Sequence, residues 1–435
     1  MLQTLRNAWK VEDLRRKILF TLFIVLLYRI GNAVPVPYVN TELLTNYIKG
    51  LQNTFIGLMD VMSGGAFSSA TIFALSIQPY INASIIIQLL CIAIPALERL
   101  SKEGGEEGRK KIASITRYAT VAIGLLQGFG YYMLMKNNGV IDADAASSVW
   151  AAIVIILTFT SGSALVMWLG EQITEHGIGN GISIILFASI ISRFPESIRR
   201  TIGNMLLKPG DPYYEANYLP WWVALLMYLG ALLMIILIVW VNDAERRIPV
   251  QYAKRVVGRK MYGGQSTNLP MKVNMSGVMP IIFASTIGTL PATIAAFAGK
   301  TDGWAANWNN SLIYAFVYLL LIIFFAYFYS TIQFNPIEVS NNLKKNGGFI
   351  PGIRPGKPTS EYIQKVLNKI TLFGALYLAI IAIVPILIAH FSDKAALTGL
   401  SIGGTSIIIV VGVALETVRA LEAQLLMRNY KGFLS

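Results

Sequence analysis

Residues 61–97 read VMSGGAFSSATIFALSIQPYINASIIIQLLCIAIPAL, 37 positions without one charged side chain, bounded by Asp60 and Glu98. Roughly 20 apolar residues cross a bilayer core, so this run is too long for a single helix, and Gly64, Gly65 and Pro79 interrupt it. The physical solution is a short half helix near 57–68, a turn, and then a full span. Irregular backbone at membrane depth survives only where protein or a water-filled cavity surrounds it. The run therefore points to a cavity, which the short helix could fill. The alternative is an amphipathic helix lying on the outer surface.

The flanking sequence is of the same kind. Of 435 residues, 54% are hydrophobic and 14% charged, against roughly 25% charged in a soluble domain. So few charges cannot clothe the three soluble domains the length would allow. The apolar content equally excludes disorder and a coiled coil. The single cysteine, Cys91, excludes an internal disulfide framework, and two histidines leave little for metal binding. This is an integral membrane protein. Charge-free stretches long enough to cross centre on 18–36, 71–95, 118–135, 149–170, 178–194, 219–241, 275–297, 311–331, 370–391 and 397–415. Arg29 in the first of these ten sits late enough to snorkel to an interface. That span follows a basic start and reads as a retained anchor, not a cleaved leader.

Basic residues set the orientation. The N-terminal segment, 96–117, 243–272, 332–369 and the C-terminal tail together hold 27 of the 36 Lys and Arg, which places both termini in the cytoplasm. Ten spans divide into five and five, 1–195 and 196–435, and an odd number per half forces the second half to run inverted. Pro79 and Pro280, near the starts of the second and seventh spans, echo one another; proline is common in membrane helices, so coincidence accounts for the echo equally well.

Ion-coupled carriers usually place ionisable groups at mid-membrane. Here Asp60, Glu171, Glu175 and Glu416 fall at or near span ends. No GxxxxGK[ST] loop and no HExxH helix occurs, and His176 and His390 lie toward opposite faces. Gly177-Ile178-Gly179-Asn180-Gly181 follows a span rather than a strand, so it reads as a tight turn opening the fifth span. Gly124 and Gly128 form a GxxxG pair suited to close helix packing. No catalytic residue, cofactor or metal site is expected. Two basic loops remain. Segment 243–272 carries Arg246, Arg247, Lys254, Arg255, Arg259, Lys260 and Lys272, and 332–369 carries Lys344, Lys345, Arg354, Lys357, Lys365 and Lys369. Positive-inside topology explains part of this charge, but the loops are several times longer than ordinary connections. Their field attracts acidic proteins or RNA. Arg354, between Gly352 and Gly356 and beside Pro351 and Pro355, reads as the tip of a fixed turn presenting one guanidinium.

Several stretches resemble the bacterial SecY family, the central subunit of the Sec protein-conducting channel (translocon). They are DVMSGGAFSSATIFALS (60–76), SIQPYINASIIIQLL (76–90), GEEGRKK (105–111), GIGNGISIIL (177–186), YAKRVVGRKMYGGQSTNLPMKVNMSG (252–277), NNLKKNGGFIPGIRPG (341–356) and GGTSIIIVVG (403–412). The resemblance runs over essentially the whole chain, in order, on the ten-span frame. It implies an all-α membrane protein of two inverted five-helix halves, hinged like a clamshell around an hourglass pore. It implies a pore ring of Ile77, Ile81, Ile182, Leu186, Ile282 and Ile409. The half helix then corresponds to the family's plug: Gly57, Leu58, Met59, Asp60, Val61, Met62, Ser63, Gly64, Gly65, Ala66, Phe67 and Ser68. Asn82, Ile85, Ile86 and Leu290 take lateral-gate positions between the second and seventh spans.

The same resemblance implies partners. The basic loops, with Arg354 matching a motor-critical arginine, would dock the SecA ATPase motor or the ribosome. The small membrane subunits SecE and SecG, signal peptides, nascent chains and membrane lipids complete the set, at the bacterial cytoplasmic (inner) membrane. The chain departs from many relatives in having no basic residue near Ser69, no arginine after Pro336, and an aliphatic Leu290. The competing functional classes are an inverted-repeat secondary transporter, which the charge-free membrane centre and long basic loops disfavour, and an intramembrane enzyme, which lacks a nucleophile–base pair.

Overall fold

The computed structural model describes residues 2–50, 55–146, 148–207, 209, 218–252, 255–257, 260–262, 266–297, 304, 308, 311–391 and 404–431. Each expected span contains helix, though 71–77 of the second is irregular and 397–403 of the tenth lies outside the described residues. A short α1 (Leu2–Lys10) precedes α2 (Glu12–Gly31), and α3 (Thr41–Gly50) and α4 (Phe55–Met62) follow. Next come α5 (Gln78–Ala93), α6 (Pro95–Lys102), α7 (Gly105–Asn137), α8 (Ala143–Ala146), α9 (Val149–His176), α10 (Gly181–Ile191) and α11 (Phe194–Met205). The second half holds α12 (Trp221–Asp243), α13 (Met279–Gly288), α14 (Leu290–Phe297), α15 (Leu312–Gln333), α16 (Pro336–Lys345), α17 (Lys357–Phe391) and α18 (Gly404–Lys431).

Among the described residues, five helical segments are long and apolar enough to cross a membrane unaided, six when the bent pair 78–101 is counted as one span. The other four expected spans are helical at the expected places: α2, α7, the broken pair α13–α14, and α18. The bends have local causes. Ile94 is extended, as a residue before proline prefers, and the chain turns by 106° between α5 and α6. Thr289 separates α13 from α14, and Trp308 Nε1 donates to the Gly288 carbonyl at 2.7 Å, satisfying a group left at that break. Helix α12 is the least buried of the spans, so most of its surface is offered to lipid or to other chains.

The charge-free run resolves into a shorter helix and a longer irregular segment than the sequence suggests. Helix α4 ends at Met62, and 63–77 is a succession of turns before Pro79 at the start of α5. The turns are buried in protein, as irregular backbone at this depth must be. Thr71 bridges to Pro35, Val36 N donates to the Ala70 carbonyl at 2.9 Å, and Ile72 N donates to the Val34 carbonyl at 3.0 Å. Thus the chain leaving α2 zips onto the chain leaving the short helix.

The two basic loops are not helical throughout, and they are not separate. β1 (Glu245–Tyr252) pairs antiparallel with β4 (Ser266–Lys272), Ile248 facing Leu269, and on its other side with β5 (Gly348–Phe349) from the second loop. Between β1 and β4, β2 (Arg255–Val257) and β3 (Lys260–Tyr262) form a small ladder. Alternation along β1 sends Ile248 and Val250 inward, where they meet Met271, Ile350, Ile363 and Leu367 in a core of their own. One platform results, built on the N-terminal part of α17.

Candidate functional site

Four helices supply the expected pore residues. Ile77 caps α5 and Ile81 lies in its first turn; Ile182 and Leu186 are on α10, Ile282 on α13 and Ile409 on α18. Ile77, Ile81, Leu186, Ile282 and Ile409 are each 5% exposed or less, all within the continuous apolar core. Ile182 is half-buried and leans on α9 beside Gly170. Helix α10 is the hub: it packs on α2, α4 and α9 of its own half and on α18 of the other. Its entry is the glycine-rich motif. Asn180 Oδ1 accepts from Ile182 N at 3.0 Å and Ser183 N at 3.3 Å, an N-cap that fixes where the helix begins. A β-carbon on Gly181 would lie 1.9 Å from the Gly170 carbonyl oxygen, so only glycine permits this turn. The reading of the motif as a tight turn holds, and Gly124 and Gly128 likewise face Ser163 and Thr160 of α9 at packing distance.

The short helix α4 packs against α10 and α14. Ile56, Met59 and Met62 are buried in the common core, and Gln78 Nε2 reaches Met59 Sδ at 3.7 Å, so the helix lies over the start of α5 next to Ile77. Of the remaining expected plug residues, Gly57 is buried and Asp60 and Val61 are half-buried, while the Leu58 side chain lies outside the described set. Ser63, Ala66, Phe67 and Ser68 are buried in the turns that follow, with Gly64 and Gly65 half-buried. That segment is pinned by neutral bonds. Tyr28 Oη accepts from or donates to Ser189 Oγ at 2.9 Å and Ser76 Oγ at 3.1 Å. Tyr131 Oη donates to the Phe67 carbonyl with the two rings stacked at 4.2 Å, and Thr45 Oγ1 donates to the Ser68 carbonyl at 3.0 Å. Asp60 itself pairs with Arg193, a contact the sequence reading did not anticipate.

At the expected gate, Ile85 is buried, Asn82 is half-buried with Oδ1 unpartnered, and Ile86 and Leu290 are 46% and 45% exposed on the outer flank. Contacts between neighbouring helices lie beside these residues. Helix α14 packs on α7, and Tyr329 Oη of α15 donates to Gln88 Oε1 of α5 at 2.9 Å. Gln88 and Tyr329 were missed by sequence reasoning. The available signal was a lone amide in the apolar string Ile85-Ile86-Ile87-Gln88-Leu89-Leu90.

On the platform, Arg246, Arg247, Lys344, Lys345 and Arg354 are exposed. Arg255 and Lys260 lie on the β2–β3 ladder, facing Tyr262 and Val257 in register, while Lys254 and Arg259 lie outside the described residues. The Arg354 tip is built as the punctuation suggests. Gly352 and Gly356 adopt φ of +80° and +100°, Thr359 Oγ1 donates to the Arg354 carbonyl at 2.8 Å, and Ser340 Oγ donates to the Gly356 carbonyl at 2.7 Å. Beside the tip, Pro336, Ile337, Ser340, Asn341 and Lys357 line an open groove of about 770 Å³. Below the sheet, Arg419 Nη2 pairs with Asp243 Oδ1 at 2.6 Å, tying α18 to the end of α12. Burial and the neighbouring Arg419 charge push the Lys272 ammonium below its ordinary range. Among the described residues, no cluster of three metal-ligating side chains occurs.

These features have counterparts in known proteins. The SecY family profile matches residues 71–418. The protein translocase subunit SecY of Streptomyces galbus is 46% identical over 453 aligned positions, covering 100% of both chains. The fold is similar, at 16% identity and a TM-score of 0.60 over 94% of this chain and 92% of the other, to a structure described as that of a protein conducting channel. It is similar too, at 15% identity and a TM-score of 0.62 over 92% and 88%, to the idle yeast Ssh1 complex bound to the yeast 80S ribosome. A full-length match at this identity, on a multi-span helical frame, leaves one assignment: this chain belongs to the SecY family.

Proposed function

We propose that this protein is the pore subunit of a protein-conducting channel in a bacterial cytoplasmic membrane, with both termini cytoplasmic. It passes unfolded secretory chains across the bilayer and releases apolar segments sideways into lipid. The observation that supports the reading is that aliphatic side chains from α5, α10, α13 and α18 meet in one apolar core, with the short helix α4 seated against α10; we read that meeting point as the constriction. A constriction of this kind gates by dewetting and offers no fixed site to hold a passing charge. Its branched side chains repack around whatever side chain enters, so the seal has no sequence preference. The channel itself performs no bond chemistry.

On this reading Ile77, Ile81, Ile182, Leu186, Ile282 and Ile409 form the ring, and 57–68 contains the plug. Residues 1–195 and 196–435 are the two halves that part. The equal offset of Pro79 and Ile81 in α5 and of Pro280 and Ile282 in α13 supports an inverted repeat. Asn82, Ile85, Ile86 and Leu290 line the lateral gate, through which a segment of about 20 apolar residues partitions into lipid, driven by apolar burial. Force comes from a partner on the basic platform: SecA or a translating ribosome, meeting Arg246, Arg247, Lys254, Arg255, Arg259, Lys260, Lys344, Lys345 and Arg354. SecE and SecG are the expected membrane companions.

The test is crosslinking. A stalled secretory chain is presented to the assembled channel with photoreactive probes at Ile81, Ile182 and Ile409. Adducts at all three, lost when the signal sequence is deleted, are expected. Adducts only at outward positions such as Trp221 or Leu226 would overturn the pore assignment.

A further inference from the structure

Asp60 is the one charged residue between Lys49 and Glu98, and it sits on the short helix α4. Its two oxygens have separate duties. Oδ1 accepts from Ser68 N at 2.8 Å, within the turn segment that follows. Oδ2 accepts from Nη2 of Arg193, at the outer end of α10. The two side chains are 14% and 19% exposed, so the pair is largely withdrawn from solvent. Arg193 is held in turn: Nη1 donates to Glu196 Oε2 at 2.6 Å, and the other oxygen of Glu196 accepts from Arg200 Nη2 at 2.7 Å. Nη2 also lies 3.4 Å from Ser68 Oγ.

Of the double glycine of the opening stretch, Gly65 is explained by the same cation and Gly64 by the end of α10. Gly64 and Gly65 have φ of +68° and +94°. A β-carbon on Gly65 would lie 3.0 Å from Cζ of Arg193, and one on Gly64 would lie 2.9 Å from the Ser189 carbonyl oxygen. The turn can therefore lie flat against the guanidinium and the end of α10 only because both positions lack side chains. The departure at Ser69 fits as well: the cation comes from the wall and not from the plug's own segment.

We propose that Arg193 is the latch that positions the plug, its ion pair with Asp60 being the polar bond that keeps α4 over the constriction. The inference rests on the plug reading above. The turns 63–77 are fastened mainly by neutral hydrogen bonds and stacking that do not involve the pair, to Tyr28, Tyr131 and Thr45, whereas α4 meets the channel wall through apolar contacts, the weak Gln78–Met59 contact and this charge pair. Removing Arg193 leaves Asp60 charged and poorly solvated, and removing the Asp60 charge leaves Arg193 held by Glu196 alone, so each single loss should release the helix while the tether stays folded.

The experiment measures resting halide leak from vesicles containing the assembled channel without substrate. The variants are Asp60→Asn, which keeps the acceptor for Ser68 N, Arg193→Gln, their double, and Arg193→Lys, with deletion of 57–68 as reference. Expected are a roughly tenfold rise in leak for either neutral variant, discounted from a fully buried pair because both groups keep some solvent, and an intermediate rise for Arg193→Lys. The double variant should leak no more than the worse single, because the two residues act through one bond. If the deletion leaks and the point variants do not, the latch is wrong and the plug stands. Multiplying effects in the double variant also overturn the latch. An unaltered deletion variant overturns the plug reading and the latch with it.

Discussion

Replacing Tyr329 with Phe removes one oxygen atom from the seam between α5 and α15. Tyr329 is 8% exposed, and its hydroxyl donates to Gln88 Oε1 at 2.9 Å. Gln88 Nε2 is already engaged with Ser84 Oγ at 3.0 Å, so the amide orientation is set and Oε1 faces the phenol. The ring's packing against Phe283, with centroids 5.2 Å apart, survives the substitution. A neutral hydrogen bond contributes about 0.5–1.5 kcal/mol net, and at about 1.4 kcal/mol per tenfold its loss from the closed state alone favours opening roughly 2- to 12-fold. The assay is export of a reporter whose signal sequence has a shortened apolar core, so that gate opening limits the rate. Tyr329→Phe should raise that export by a factor in this range, leave an intact signal sequence nearly unaffected, and add nothing in a Gln88→Leu background. Unchanged or reduced export of the weak signal at equal protein level would refute the assignment of this bond to the closed gate.

Three further outcomes test other parts of the molecule. Ile409→Asn places an amide in a site 3% exposed; wetting of the constriction should increase ion leak and admit defective signal sequences, and unaltered vesicle conductance and signal discrimination would count against the ring. Arg354→Glu reverses the charge at the turn tip without touching its buried supports, Thr359 and Ser340; motor-driven transport should be lost while thermal stability is retained, and normal transport would sink the docking role. Gly162→Ala puts a β-carbon 1.8 Å from the Ile72 carbonyl oxygen, forcing α9 off the buried turns; a loss of about 1–3 kcal/mol is expected for such overpacking, read as a lowered melting temperature, and an unchanged one would show that the turns are not rigidly packed.

The helical frame was legible because apolar runs and charge asymmetry are one-dimensional signals. Where helices run on past the apolar stretch, those signals fade: α17 begins at Lys357, thirteen residues before the expected span, because its first turns, with Ile363 and Leu367, pack in the core under the sheet. The turn character of 63–77 was concealed for a related reason. Its residues are as apolar as a span, and what forbids the helix is pairing with 34–36, a partner many residues away. The basic loops were read as two, since nothing in either sequence announces that Gly348 and Phe349 add a strand to β1. Of the expected site, the chemistry of each ring residue was readable, but the closing contacts were not. Asp60 with Arg193 and Gln88 with Tyr329 join residues 133 and 241 positions apart.

Those two distant contacts share a design. Each is a polar link set in a largely apolar contact, and each spans two elements that the proposed mechanism requires to separate. Apolar packing alone sets a graded, non-directional resistance to motion, so a greasy lid in a greasy pore could slide through many positions. A directional bond adds a preferred geometry and a step between bound and free. The plug tether shows the contrast, since the bonds to Tyr28, Tyr131 and Thr45 are several and redundant. A segment of eight residues such as α4 is too short to hold its own helix in water. Once its one ion pair is broken, its fate depends on what replaces the wall. A translocating chain in the pore supplies apolar contact but not a fixed carboxylate for Arg193. On this argument the same passage that displaces the plug strips Nη2 of Arg193 of its carboxylate, leaving Glu196 alone on Nη1, and clearing the pore restores Asp60 to its place.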